Sequence, residues 1–343
     1  MNKQLFETSD TPHVIIRSCT AKLDVVGWQR QSITVEGDGV TASDQSDDIV
    51  VDGDGELRIM MPINGRLSIK PISPAPVTIK HLHGDVQIDS CGALTLNDVG
   101  QVQAEFVEGV LAGENINGRL HIDHADSTVT LRRVEAAQIE YASGDVSVQF
   151  GTGFIELGEA DGAVSLNSIN GDVTIERAMG DVDIQNIGGL NTVNTIGRLT
   201  LRGTFAHGEQ RFISAGDMVL DWPDAPLSPV TLLATAVSIQ NDLPLTNAEE
   251  TTADGLLQLS GHIEHGKPFL ILKTNGRLHL TDSTAPKPSP PKKQPPIAEK
   301  PPIPDPPSPP PNPENRRHIL QLLKDDMLSI NQTELLLAAL NND

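Results

Sequence analysis

The chain of 343 residues carries a formal charge of −21, with 46 Asp and Glu against 25 Lys and Arg, and only 3% of it is aromatic. That acidity argues against nucleic acid or an anionic membrane as a partner for the body of the protein, and the shortage of aromatics points to a thin core of Val, Ile and Leu. No apolar run approaches the ~20 residues that span a bilayer, and Cys19 and Cys91 offer neither a disulfide framework nor a metal-binding pattern.

Residues 1–62 hold short alternating segments: HVIIR (13–17), KLDVVGW (22–28), SITVEG (32–37), DDIVVDG (47–53) and ELRIMMP (56–62). They read as an N-terminal β cap or irregular first coils. The opening MNKQLFETSDTPHVIIRSCT has no basic segment, apolar run and cleavage site of an export signal, so the expected compartment is the cytoplasm.

Residues 63–283 carry a repeat. Gly144, Gly153, Gly162, Gly171, Gly180 and Gly189 stand nine residues apart. A longer register aligns INGRLSI (63–69), SCGALTL (90–96), INGRLHI (116–122), ASGDVSV (142–148), INGDVTI (169–175) and TIGRLTL (195–201), with glycines 26 or 27 apart. The second and fourth residues after each of these glycines are aliphatic, and the residue between them is polar: Val173 and Ile175 flank Thr174, for instance. Alternation of period two marks a strand with one buried face. Three such strands per 26–27 residues predict a three-sided, right-handed parallel β-solenoid. The competing coil has two sides and 18 residues. Glycine at each corner supplies either a positive φ or room for close backbone approach.

Residues 284–313 hold fifteen of the 25 prolines and read as an extended, semi-rigid tether. Residues 314–343 change period and predict a helical hairpin, with Ser329 to Gln332 matching a capping box before the apolar run Leu335–Leu340. Helices this short are marginal alone. Ile319, Leu322, Leu323, Leu328, Leu336 and Leu340 are therefore the candidate contacts for a protein partner or for self-association.

No stretch fits enzyme chemistry. GTGFIELGEADG (151–162) runs into a strand and lacks the lysine of a phosphate loop. Asp85, Asp145, Asp172, Asp181 and Asp217 follow glycine as in calcium-binding repeats, but Arg66, Arg119, Arg198 and Arg277 occupy the same place elsewhere, which a cation site would not tolerate. The close histidine pairs His81-x-His83 and His121-x-x-His124 read as solvent-facing strand residues. No catalytic residue, cofactor or metal is expected.

WQRQSITVEGD (28–38), followed by the repeated GDVxI/V and GRLxL strands, resembles the bacterial β-strand-repeat family of candidate adhesins of unknown function, related to auto-transporter adhesin-head-like domains. The resemblance covers roughly residues 12–282 and implies a β-helix without established catalytic residues. ILQLLKDDMLSINQTELLLAAL (319–340) is similar to the SHOCT-like helical hairpin, with Asp326 where that motif commonly has glycine. The expectation is a non-enzymatic scaffold or adhesin-like interaction protein. The alternative is a module that binds carbohydrate or envelope polymer on a flat solenoid face, which outward Thr and Asn ladders would favour.

Overall fold

Successive nine-residue units settle alternately on two faces. The computed structural model describes residues 2–45, 48–72, 74–203, 205, 208–223, 229–264 and 268–282. Among them there is no helix, and 29 strands join into one continuous hydrogen-bonded sheet, most neighbours running parallel. The chain divides into two units, Met1–Pro286 and Lys287–Asp343, and every described residue lies in the first. The expected Pro-rich tether and helical hairpin lie outside the described residues.

Parallel partners show how the coil closes. Val146 pairs with Val164 and Val164 with Val182, while Ile155, on the strand between, pairs with Val173. Partners are thus 18 residues apart with one other strand between them. The coil has two sides and 18 residues, which corrects the expected three-sided coil of 26–27. The strands of both faces repeat one in–out pattern and most corners carry glycine, so any multiple of nine aligns. A step of 27 finds equivalent residues on opposite faces.

We call front the face holding Val77–Leu82, Leu94–Val99, Val146–Gly151, Val164–Ile169 and Val182–Ile187. The back face holds Val86–Cys91, Val102–Val107, Ile155–Ala160 and Val173–Ala178. Two long strands, Leu111–Ala125 and Val129–Ala142, start on the front and continue around the corner onto the back. The core lies between the faces and is built mainly of Val, Ile and Leu, with Ala the next most frequent. Burying each such side chain contributes about 1.5–3 kcal/mol. One inward column shows how thin that core is. Cys91, Val107, Ala125, Ala142, Ala160, Ala178, Thr195, Ser214 and Thr274 stack coil upon coil. The three hydroxyls at its end donate to corner carbonyls: Thr195 to Gly180, Ser214 to Gly197 and Thr274 to Gly216. Three buried aromatics meet at that end, where Phe205 packs on Phe212 and Trp222.

The ends are closed by the chain doubling back. Near the N-terminus, His13–Ser18 lies between Asp48–Asp52 and Arg66–Ile69, and Leu23–Trp28 between Leu57–Pro62 and Val77–Leu82, all parallel. Outside that coil, Ser32–Gly37 pairs antiparallel with Leu57–Pro62, Asn2–Glu7 with Ser32–Gly37, and Thr41–Gln45 with Asp48–Asp52. At the other end Phe269–Thr274 sits between Glu209–Ser214 and Val230–Ala236, and the antiparallel strands Leu256–Ile263 and Thr246–Ala253 cover the outermost edge of the back face. Antiparallel strands end the parallel ladder on both faces near the N-terminus and on the back face at the other end, where the exposed Thr246–Ala253 carries Glu249 and Glu250. A charged, solvent-facing edge discourages further pairing.

Candidate functional site

The strands of both faces share the burial pattern in–out–in–out–out–in, seen in Val77–Leu82 and again in Val129–Val134. Two consecutive outward residues break strict alternation, and on the front face the break has a backbone cause. The fifth residue of each strand adopts the left-handed conformation: His81, Asp98, Asn115, Arg133, Phe150, Ser168 and Asn186, with φ between 54° and 61°. A left-handed residue reverses the pleat, so that residue and the one before it both face water. Asn and Asp tolerate this conformation, while Arg and Phe carry a cost of about 1–2 kcal/mol. The result is a ledge along the front face, renewed in every coil.

The ledge and the strand beside it sort the outward residues. Thr78, Thr95, Ala112, Thr130, Ser147 and Ser165 stand in register as a largely hydroxyl column. Next to it run Lys80, Asn97, Glu114, Arg132, Gln149, Asn167 and Gln185, then the left-handed residues themselves. From Thr78 to Asn186 these three front columns contain three acids, Asp98, Glu114 and Asp183, against Lys80, Arg132 and Arg133. The matching columns of the back face, Gln87 to Arg177, carry seven acids: Asp89, Glu105, Asp123, Glu140, Glu156, Glu159 and Glu176. Within these columns, negative charge is therefore displaced toward the back.

A groove of about 710 Å³ opens on the ledge, lined among others by Asn115, Asn117, Arg132, Arg133, Phe150 and Thr152. Phe150 is 47% exposed. The Arg132 guanidinium lies over its ring, 5.8 Å from the centroid. Arg133 donates from Nε to Asn115 Oδ1 at 3.0 Å and from Nη2 to Glu114 Oε1 at 3.0 Å. One coil away, His81 Nδ1 is 2.8 Å from Asp98 Oδ2, His83 Nε2 is 3.2 Å from Asp98 Oδ1, and Asn117 donates to the same Oδ1 at 3.2 Å. The His81 hydrogen bond holds the Asp98 carboxyl below the ordinary carboxylate range; burial opposes it, and the His83 hydrogen bond adds to the lowering.

The sequence-derived candidates distribute as follows. His81 and His83 face solvent and share Asp98. His121 pairs with Asp123, and His124 with Asp126 while stacked between Phe106 and Tyr141 on the back face. Among the described residues no group of three or more His, Cys, Asp or Glu side chains is arranged to hold a metal ion. Asp145, Asp172, Asp181 and Asp217 perform a structural task. Their Oδ1 atoms accept from the backbone N–H of Ala163, Leu190, Arg198 and Arg277 in the next coil, at 2.8, 2.8, 2.8 and 2.9 Å. Cys19 and Cys91 are free and buried, and burial pushes the Cys91 thiol up to about 12. The hairpin candidates Ile319, Leu322, Leu323, Leu328, Leu336 and Leu340 lie outside the described residues. Reading the sequence by threes missed the front groove. Its signal is a pair of adjacent polar residues, such as Arg132-Arg133, where alternation calls for one.

No family model matches the chain. No curated protein matches it either. Solved structures that align with it are a candidate cell adhesion protein from Clostridium sporogenes ATCC 15579 and candidate adhesins from Bacteroides fragilis NCTC 9343 and Parabacteroides distasonis ATCC 8503. Each is 8% identical and covers 82% of this chain, with 99%, 96% and 96% of its own length and TM-scores of 0.16, 0.21 and 0.26. Overlap at these scores carries no argument about shared fold or function.

Proposed function

We propose that the protein is a non-enzymatic interaction protein whose front face binds a carbohydrate polymer laid along the stack of coils. The observation that carries this reading is the sorting of outward residues. Hydroxyl and amide side chains repeat on the front at the strand spacing of ~4.8 Å, while carboxylates collect on the back. A polymer of hydroxyl-rich units meets such a face as a succession of equivalent donors and acceptors, each bond modest and the row of them additive in avidity. The groove at Phe150 supplies an apolar surface beside those polar groups, the mixture that fixes orientation in ligand sites. The Gly-Asp repeats support the non-enzymatic part of the reading, since Asp145, Asp172, Asp181 and Asp217 are occupied in holding successive coils together.

The test is binding of the full chain to a panel of immobilised neutral and acidic polysaccharides. Retention should fall at least severalfold in Phe150→Ala with Asn117→Ala, two exposed changes that leave the melting temperature in place. A substitution on the back face, Glu140→Ala, should leave retention unchanged. No retention on any polysaccharide, or equal loss from front and back substitutions, would falsify the proposal.

A further inference from the structure

Resting on the reading of the front face as a glycan surface, we propose that the groove at Arg132, Arg133 and Phe150 is a subsite for a carboxylate-bearing sugar, and that the polymer is a polyuronide. Two adjacent guanidiniums project from the ledge because the left-handed Arg133, φ 54°, turns both outward. Glu114 lies beneath them, 3.0 Å from Arg133 Nη2 and 3.8 Å from Arg132 Nη1. It orients the pair without exhausting the five N–H donors that each guanidinium carries. Arg132 and Arg133 are about half exposed, so the remaining donors meet the groove. A planar fork of this kind matches a carboxylate in bidentate fashion.

The surroundings specify a sugar acid over a bare anion. The Phe150 ring forms one side of the groove, and Asn115, Asn117 and Thr152 add amide and hydroxyl groups to its lining. The exposed Glu135 also lines the groove, where its charge opposes an incoming carboxylate. The protein's net charge of −21 does not forbid the match. Charges farther than a Debye length of ~8 Å are largely screened, and the front columns near the groove balance acids with cations.

The experiment uses the full chain with polygalacturonate and with alginate, each beside its carboxyl-reduced, neutral counterpart, by titration calorimetry at low and moderate salt. The acidic polymers should bind at least about tenfold tighter than their reduced forms, and raising the salt should shrink that advantage. Arg132→Gln with Arg133→Gln should abolish the difference between each acidic polymer and its reduced form. Glu135→Gln should widen it. Equal affinity for acidic and reduced polymers, or a double variant that keeps the preference, overturns the carboxylate subsite and leaves the glycan surface standing. Absence of binding to all four polymers overturns both.

Discussion

A corner glycine in this body is held by space. Gly171 has no left-handed φ, yet a Cβ placed on it would stand 2.0 Å from the carbonyl oxygen of Gly153 in the preceding coil. Gly171→Ala is therefore expected to destabilise the body by about 2–3 kcal/mol, since backbone atoms cannot swing aside as a side chain would. Thermal melting followed by circular dichroism checks this, and an unchanged midpoint would contradict the close packing of corners. Asp98 carries the pH-dependent counterpart. Its carboxyl is depressed by His81 first and His83 second. A depressed carboxyl contributes stability that is present above its unfolded value and is lost as pH falls through the folded one. His81→Ala should move the Asp98 titration upward toward the ordinary carboxylate range, readable by carbon NMR of the carboxyl. The side chain is one-third exposed, so the accompanying change in stability is small.

At the scale of the strand, the left-handed residue decides what the front face presents. Ser168 sits at φ 58°. Ser168→Gly should leave the body as stable or slightly more so, because glycine takes that conformation freely, whereas Ser168→Val should cost about 1–2 kcal/mol. Urea midpoints of the two variants decide it, and equal midpoints would refute the left-handed ledge as a determinant. The strands themselves were legible in the sequence. Val146 and Val148, Val173 and Ile175, Val182 and Ile184 are all inward as their alternation says. Coil length was not legible, because Val146 and Val173 are interchangeable in character although they lie on opposite faces. Counted by 27, the outward Thr174 and Ser147 fall into one row and the surface looks mixed. Counted by 18, Ser147 aligns with Ser165 and Thr130, and the hydroxyl column separates from the acids. The ledge was hidden for a related reason: a left-handed Arg or Phe leaves no composition mark of the kind that glycine leaves.

Over the body as a whole, nearest-neighbour stacking makes each coil depend on the one before and the one after, so the two ends carry the burden of stopping the ladder. The C-terminal end does this with a detour. After Met218–Asp221 the chain makes Val230–Ala236 and Ser238–Asn241 as the last coil, lays down the antiparallel strands Thr246–Ala253 and Leu256–Ile263, and only then returns to fill the vacant coil with Phe269–Thr274 and Arg277–Thr281. Asp221 and Phe269 stand in the relation of any front strand to the following back strand, level with Gln185 and Leu190 of an earlier coil. Replacing residues 223–267 by a linker of four to six polar residues should therefore leave the remaining coils in register. It would also uncover the parallel edges of Phe269–Thr274 and Arg277–Thr281, which lack the acids of the lost edge strand. The expected outcome is a β-rich protein that associates through those edges, seen as a rise in sedimentation coefficient with concentration, while the intact chain shows no such rise from this end. A truncated protein that is folded and shows no greater association would mean that the detour does something other than close the ladder.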